Sequence, residues 1–295
     1  MTRLITRLAS TLLIAASVHG GVSRAADGGI TVVAAENFYG DIARQVAGDR
    51  AAVVSVIANP AEDPHLFEVT PGIVRQVADA RIVVLNGAGY DSWMEKILGS
   101  SSRPQRIVIN AAELTGYKAG DNPHIWYAPA TMPKVAGAIS DAFVKADPAH
   151  ADEYRERLAK TLASIAAVAK RAADLKRKFS GMPVTATEPV FGAMADALGL
   201  VMRNQRFQRA VMNDTEPSAR EIAAFENDLR EHRVKVLFYN SQVSAKLTDR
   251  LRSIAVDAKI PVVGISETMP PGSSYQNWLL NELDTLDKAL SGPPA

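Results

Sequence analysis

The sequence predicts an α/β protein: two doubly wound α/β lobes with parallel sheets, joined by one long backbone helix. Three observations carry this. Short β-branched runs alternate with amphipathic helical patterns through most of the chain. The strand-like runs are apolar throughout instead of alternating, as parallel strands covered on both faces are. Near the middle lies a run of over 30 residues with no internal Pro or Gly.

In order, "GITVVAAEN" reads as a strand and "FYGDIARQVAG" as a helix stopped by Gly48. "AAVVSVIAN" is a second strand. "TPGIVRQVADA" opens a helix with Thr70 as cap and Pro71 in the first turn. "RIVVLNGAG" and "QRIVINAAE" give the third and fourth strands. The long run starts at Asp147 and Pro148 and stops at Gly181. At ~1.5 Å per residue it would measure roughly 45 Å, enough to run between two lobes. Beyond it, "PVTATEP", "LVMRN", "VKVLFYN" and "IPVVGIS" are four more strands, with a helix capped by Ser218 among the elements between them. The expected organisation is a signal peptide over 1–25, an N-terminal lobe over 26–146, the linking helix over 147–180 and a C-terminal lobe over 181–295.

The first 25 residues carry Arg3 and Arg7, then the uncharged run "LASTLLIAASV", then small residues up to Ala25. That is the pattern of a cleaved secretory signal, the apolar run being too short to span a bilayer. Cleavage takes 33 basic residues to 30 against 32 acidic ones, a net charge of about −2. A balance near zero gives no electrostatic footprint for nucleic acid. The chain has no cysteine, hence no disulfide, no thiolate ligand and no lipid-anchored cysteine. The expectation is a protein free in the periplasm, not membrane-spanning.

In open α/β sheets ligands bind beyond the carboxyl ends of the strands. The loops expected there hold His65 in "AEDPHLFEVTP", His124 in "GDNPHIWYAPA", Glu188 in "TEPVF" and Glu267 in "GISETMPPG". Two imidazoles from one lobe and two carboxylates from the other would suit a divalent ion, Mn²⁺, Fe²⁺ or Zn²⁺. Taken singly, each has another reading. A loop histidine is often a solvated one, and Glu188 and Glu267 also suit helix N-cap positions. His150 and His232, in strongly charged sequence, are expected to be solvated.

Taken together and in order, "DPHLFEVTP", "NPHIWYAP", the long helix, "TEPVFGAMADALGL" and "SYQNWLLNELDTL" resemble the zinc/manganese solute-binding proteins of bacterial ABC importers. The likeness runs over nearly the whole mature chain. It implies that His65 and His124 are the first two metal ligands and Glu188 the third. It implies an aspartate as the fourth, where this chain has Glu267. It also implies a permease and an ATPase as partners, and a receptor that acts without catalysis and as a monomer. There is no His-rich loop before "NPHIW" and no third site histidine, which tilts the site modestly toward Mn²⁺ or Fe²⁺. Metal identity stays open among Mn²⁺, Zn²⁺ and Fe²⁺.

Three other functions compete. A secreted metal-dependent hydrolase would use the same ligands, but no HExxH motif or spare base stands out. An organic-solute-binding protein of an ABC importer would use the histidines as donors, and Trp93, Trp126 and Trp278 are too few to decide for it. A surface adhesin would need the missing anchor.

Overall fold

The computed structural model describes residues 29–60 and 64–292, with the backbone alone at His65. The expected signal peptide lies outside the described residues.

Two four-stranded parallel sheets form, one from the chain before the long helix and one from the chain after it. The first has β1 (Ile30–Glu36), β2 (Ala51–Ile57), β3 (Ile82–Leu85) and β4 (Ile107–Asn110), in the order β2-β1-β3-β4. The second has β5 (Pro183–Ala186), β6 (Val201–Met202), β7 (Leu237–Asn240) and β8 (Val262–Ile265), in the order β6-β5-β7-β8. The two orders are the same. In each, the chain leaves the first strand to one side and returns on the other, so a crevice opens beyond the carboxyl ends of β1 and β3, and of β5 and β7. The central strands carry the expected apolar runs: β3 is buried along its whole length.

Local signals fall where the sequence places them. The Thr70 hydroxyl accepts from the Ile73 N–H and Pro71 begins the helix Pro71–Asp79. Ser218 and Glu221 form a reciprocal capping box at the start of Ala219–Arg230. The long helix runs over Ala151–Phe179. Its buried stripe, Tyr154, Thr161, Ile165, Val168, Ala172 and Leu175, has the three- and four-residue spacing of one helix face. That face packs against the helices Asn37–Ala47, Thr131–Ala146 and Tyr275–Ser291.

The start of this helix differs from expectation. Pro148–His150 form a separate 3-10 turn before it. The Asp147 carboxylate faces His150 Nδ1 at 2.7 Å and accepts from the Tyr154 hydroxyl at 2.9 Å. His150 is therefore half-buried and paired, not simply solvated, because the turn brings its ring onto the carboxylate that opens the helix. His232 is exposed, as expected, with a left-handed backbone at φ 53°.

The lobes are stapled together near the crevice. The Asn37 side chain donates to the Met269 carbonyl at 2.7 Å and accepts the Met269 N–H at 3.0 Å, both buried. Asp41 accepts the Tyr275 N–H at 2.9 Å, and the Tyr275 hydroxyl donates to the Trp126 carbonyl at 2.7 Å. The loop after β8 is thus tied to elements of the first lobe.

Candidate metal centre

His124, Glu188 and Glu267 converge at the crevice, all three buried. His65 falls in the turn Pro64–Leu66, the next element in the chain after β2; its side chain lies outside the described residues. Among the described residues no three His, Asp or Glu side chains form a ready-made metal cage. Instead His124 and Glu267 face each other directly, while Glu188 and Glu267 are linked through Asn240.

His124 is fixed by Asn122. The Asn122 Nδ2 donates to the Pro189 carbonyl at 2.7 Å, so its Oδ1 must be the acceptor that meets His124 Nδ1 at 2.6 Å. His124 therefore carries a hydrogen on Nδ1 and turns Nε2 to the crevice. Nε2 lies 3.3 Å from Oε2 of Glu267. An imidazole nitrogen and a carboxylate oxygen brought together in a buried crevice are donor types that suit a divalent cation. Tyr90 and Trp126 close around the ring edge-on, with centroids 5.9 and 5.3 Å away. Gly192 makes room for Asn122: a Cβ there would come within 2.8 Å of its Nδ2.

Glu188 follows β5, and its side chain makes no helix cap. Its Oε2 accepts from Asn240 Nδ2 at 3.0 Å, which excludes the capping reading and turns the carboxylate inward. Glu267 follows β8 with none of its surface exposed. Its Oε2 accepts from the Tyr90 hydroxyl at 2.8 Å and its Oε1 from Asn240 at 2.6 Å. Burial, with the nearby Glu267 charge, pushes the Tyr90 phenol well above its ordinary range, so it stays a donor. The extra methylene relative to aspartate is used to span this distance. The loop backbone is held in place by Gln242, whose Oε1 accepts from the N–H groups of Glu267 and Thr268 at 2.5 and 3.2 Å.

Tyr90, Asn122, Asn240 and Gln242 were not singled out from the sequence. The strand-end rule that pointed to His65 and Glu188 also applies to β3 and β7, whose ends read "NGAGYD" and "YNSQ". The first of these loops is braced by Asp91, whose carboxylate accepts the N–H groups of Asn86 and Gly87 at 2.6 and 2.8 Å. Asn86 in turn donates to the Pro123 carbonyl at 2.9 Å, beside His124. Gly87 has φ 74° and a Cβ there would strike Asn110, so the turn that presents Tyr90 needs glycine. The tryptophans do not form a ligand cleft: Trp126 and Trp278 are core residues, and Trp93 packs on Phe67.

The family described as "Zinc-uptake complex component A periplasmic" matches residues 32–289. The chain belongs to this family. Its members are solute-binding components of uptake systems, not enzymes. The chain is 25% identical to the high-affinity zinc uptake system protein ZnuA of Bacillus subtilis (strain 168), over 95% of this chain and 94% of that one. It is 22% identical to the manganese ABC transporter substrate-binding lipoprotein PsaA of Streptococcus anginosus, over 98% of each. Its fold matches the periplasmic zinc binding protein TroA from Treponema pallidum with a TM-score of 0.72 and 20% identity, covering 89% of this chain and 99% of that one. Among the described residues no helix is long and apolar enough to cross a membrane.

Asn122→Ala is expected to cost this family member about 10–100-fold in metal affinity, since it frees the His124 ring to turn. Asn122→Asp keeps the acceptor for Nδ1 and is expected to retain most of the affinity. Competition against a chelator indicator, with both variants in one buffer, measures this.

Proposed function

We propose that this protein captures one divalent transition metal ion (Zn²⁺, Mn²⁺ or Fe²⁺) in the crevice between its lobes and delivers it to the permease and ATPase of an ABC importer. The ligands are His65, His124, Glu188 and Glu267. The observation that carries this reading is the meeting of the His124 ring, held by Asn122 with Nε2 3.3 Å from a Glu267 oxygen, with the buried Glu188 and Glu267 carboxylates at the crevice. The donor set fits such an ion: nitrogen and carboxylate oxygen with no thiolate, filling four positions and leaving none for a reacting water. A centre built this way binds and releases its ion.

All four ligands come from one chain, so the working unit is a monomer. The exported form is a soluble periplasmic receptor without a lipid anchor, in keeping with the absence of cysteine. The N-terminal lobe extends from 26 to 146, the linking helix from 147 to 180 and the C-terminal lobe from 181 to 295.

Calorimetry on chelator-stripped protein, residues 26–295, tests the function. One ion per chain is the expected result, with Zn²⁺, Mn²⁺ and Fe²⁺ titrated separately. A flat titration with all three ions would overturn it.

A further inference from the structure

The carboxyl end of β1, at the floor of the crevice, holds one more acid, Glu36. β1 lies between β2 and β3, and none of the Glu36 surface is exposed. Neither Oε1 nor Oε2 has a hydrogen-bond partner among the described residues. Its neighbours bring no cation. β2 sets Ile57 beside it in register. Tyr39, on the helix Asn37–Ala47, turns its hydroxyl to Asn86. Arg44, the one cation of that helix, donates to the Val53 carbonyl and the Ser55 hydroxyl instead. The loop after β3 adds Tyr90 and a second acid, Asp91.

The two acids differ in what surrounds them. The Asp91 carboxylate accepts the N–H groups of Asn86 and Gly87, bonds that favour its charged form. Glu36 has only its own backbone N–H to favour a charge. A fully buried carboxyl without donors keeps its proton, while its better-solvated neighbour gives one up. In keeping with this, burial and then the Asp91 charge push Glu36 well above the ordinary carboxyl range.

Tyr90 connects this acid with the metal ligands. Its hydroxyl donates to Glu267 Oε2 at 2.8 Å, and the charges of Glu267 and Glu36 both act on its phenol. Asn37, next in the chain to Glu36, pairs with Met269, two residues beyond Glu267. A divalent ion in the crevice acts on Glu36 across buried protein, where screening is weak, and its charge favours the carboxylate.

We propose that Glu36 is the proton-exchanging residue of the centre: neutral while the crevice is empty, it gives its proton to solvent when a divalent ion enters and then stands as a further negative charge beside the occupied site. The inference rests on the metal-receptor reading above. Glu36 acts by charge, without a bond to the ion. One O–H bond breaks, the electron pair stays on the carboxylate, and the proton passes to water. Capture thus expels a proton, and acid favours release.

Calorimetry of Zn²⁺ binding in buffers of different ionisation enthalpy counts the protons released by the parent and by Glu36→Gln. Near neutral pH the parent is expected to release about one proton more per ion than the variant. Protons lost by histidine ligands are common to both. The Zn²⁺ affinity of the parent should also rise more steeply with pH, by about a further tenfold per pH unit. Infrared difference spectra of the parent with and without Zn²⁺ ask the same question without a variant. The carbonyl stretch of a protonated carboxyl should vanish on loading, and Glu36→Gln should show no such loss. Equal proton counts with parallel pH profiles overturn the inference, and so does a parent that loses no carboxyl band. A parent that binds no Zn²⁺, Mn²⁺ or Fe²⁺ would instead sink the receptor reading itself.

Discussion

Glu267→Asp is expected to weaken Zn²⁺ binding by about a hundredfold or more, close to 2.7 kcal/mol. The change restores the residue that the family resemblance implies, yet it does not suit this crevice. The carboxylate would withdraw by about 1.5 Å, one carbon–carbon bond. It would then leave both the Tyr90 hydroxyl and the Asn240 amide, now 2.8 and 2.6 Å away. Each such hydrogen bond to a charged group is worth about 1.5–3 kcal/mol. The backbone cannot advance to compensate, since Gln242 holds the Glu267 and Thr268 N–H groups and Asn37 holds Met269. Glu267→Gln keeps the shape but loses the charge. With its oxygen accepting from Asn240, its amide nitrogen would turn a donor toward His124 Nε2. Zn²⁺ affinities by chelator competition check both variants. If each stays within about threefold of the parent, Glu267 is not a ligand.

The metal-stripped protein is expected to lose stability as pH rises from about 5 to about 9, with Glu282 as a main cause. Burial pushes this carboxyl from 4.5 up to about 8, opposed in part by the Tyr127 hydroxyl and the Trp278 indole. The Tyr127 hydroxyl, which lies 2.7 Å from the Ser266 carbonyl and 2.9 Å from Glu282 Oε1, and the Trp278 indole at 2.8 Å offset part of this rise, and burial outweighs them. A folded-state pKa raised above the unfolded one means the fold favours the protonated acid. Its contribution is therefore full below pH 4.5 and lost as pH climbs through about 8. The residue is only partly buried, so the swing is on the order of 4 kcal/mol. Asp91, raised to about 6 by burial, and Glu36, pushed well up by burial and then by the Asp91 charge, act in the same direction. Glu282→Gln mimics the neutral acid and is expected to flatten the upper part of the profile. Urea unfolding at several pH values measures it. Parallel pH profiles for parent and variant would count against a neutral Glu282.

Much of this molecule was legible without coordinates. Apolar runs separated by amphipathic ones announced two parallel sheets, because a strand covered by helices on both faces has no polar side to show. Thr70 and Ser218 marked helix starts, because a cap is a contact between residues three apart. His124, Glu188 and Glu267 were found by the rule that strand ends line the crevice. The same rule covered Tyr90 and Asn240, but a tyrosine or an asparagine in a polar loop carries no local sign of its role.

Tertiary structure alone decided the rest. Asn240 matters because β7 lies between β5 and β8, and strand order is settled by packing between elements far apart in the chain. Asn122 matters because Pro189, 67 residues away, claims its amide hydrogen and leaves its oxygen to His124. The Glu267 loop belongs mechanically to the first lobe because Asn37 pairs with Met269 across 232 residues. His150 finds Asp147 only once Pro148 has begun a tight turn. Sequence determines which residues can form elements and which side chains can bind a metal, since propensity, capping and ligand chemistry are local properties. Which hydrogen of which amide faces which carboxylate is decided only when distant strand ends are brought within 3 Å of one another.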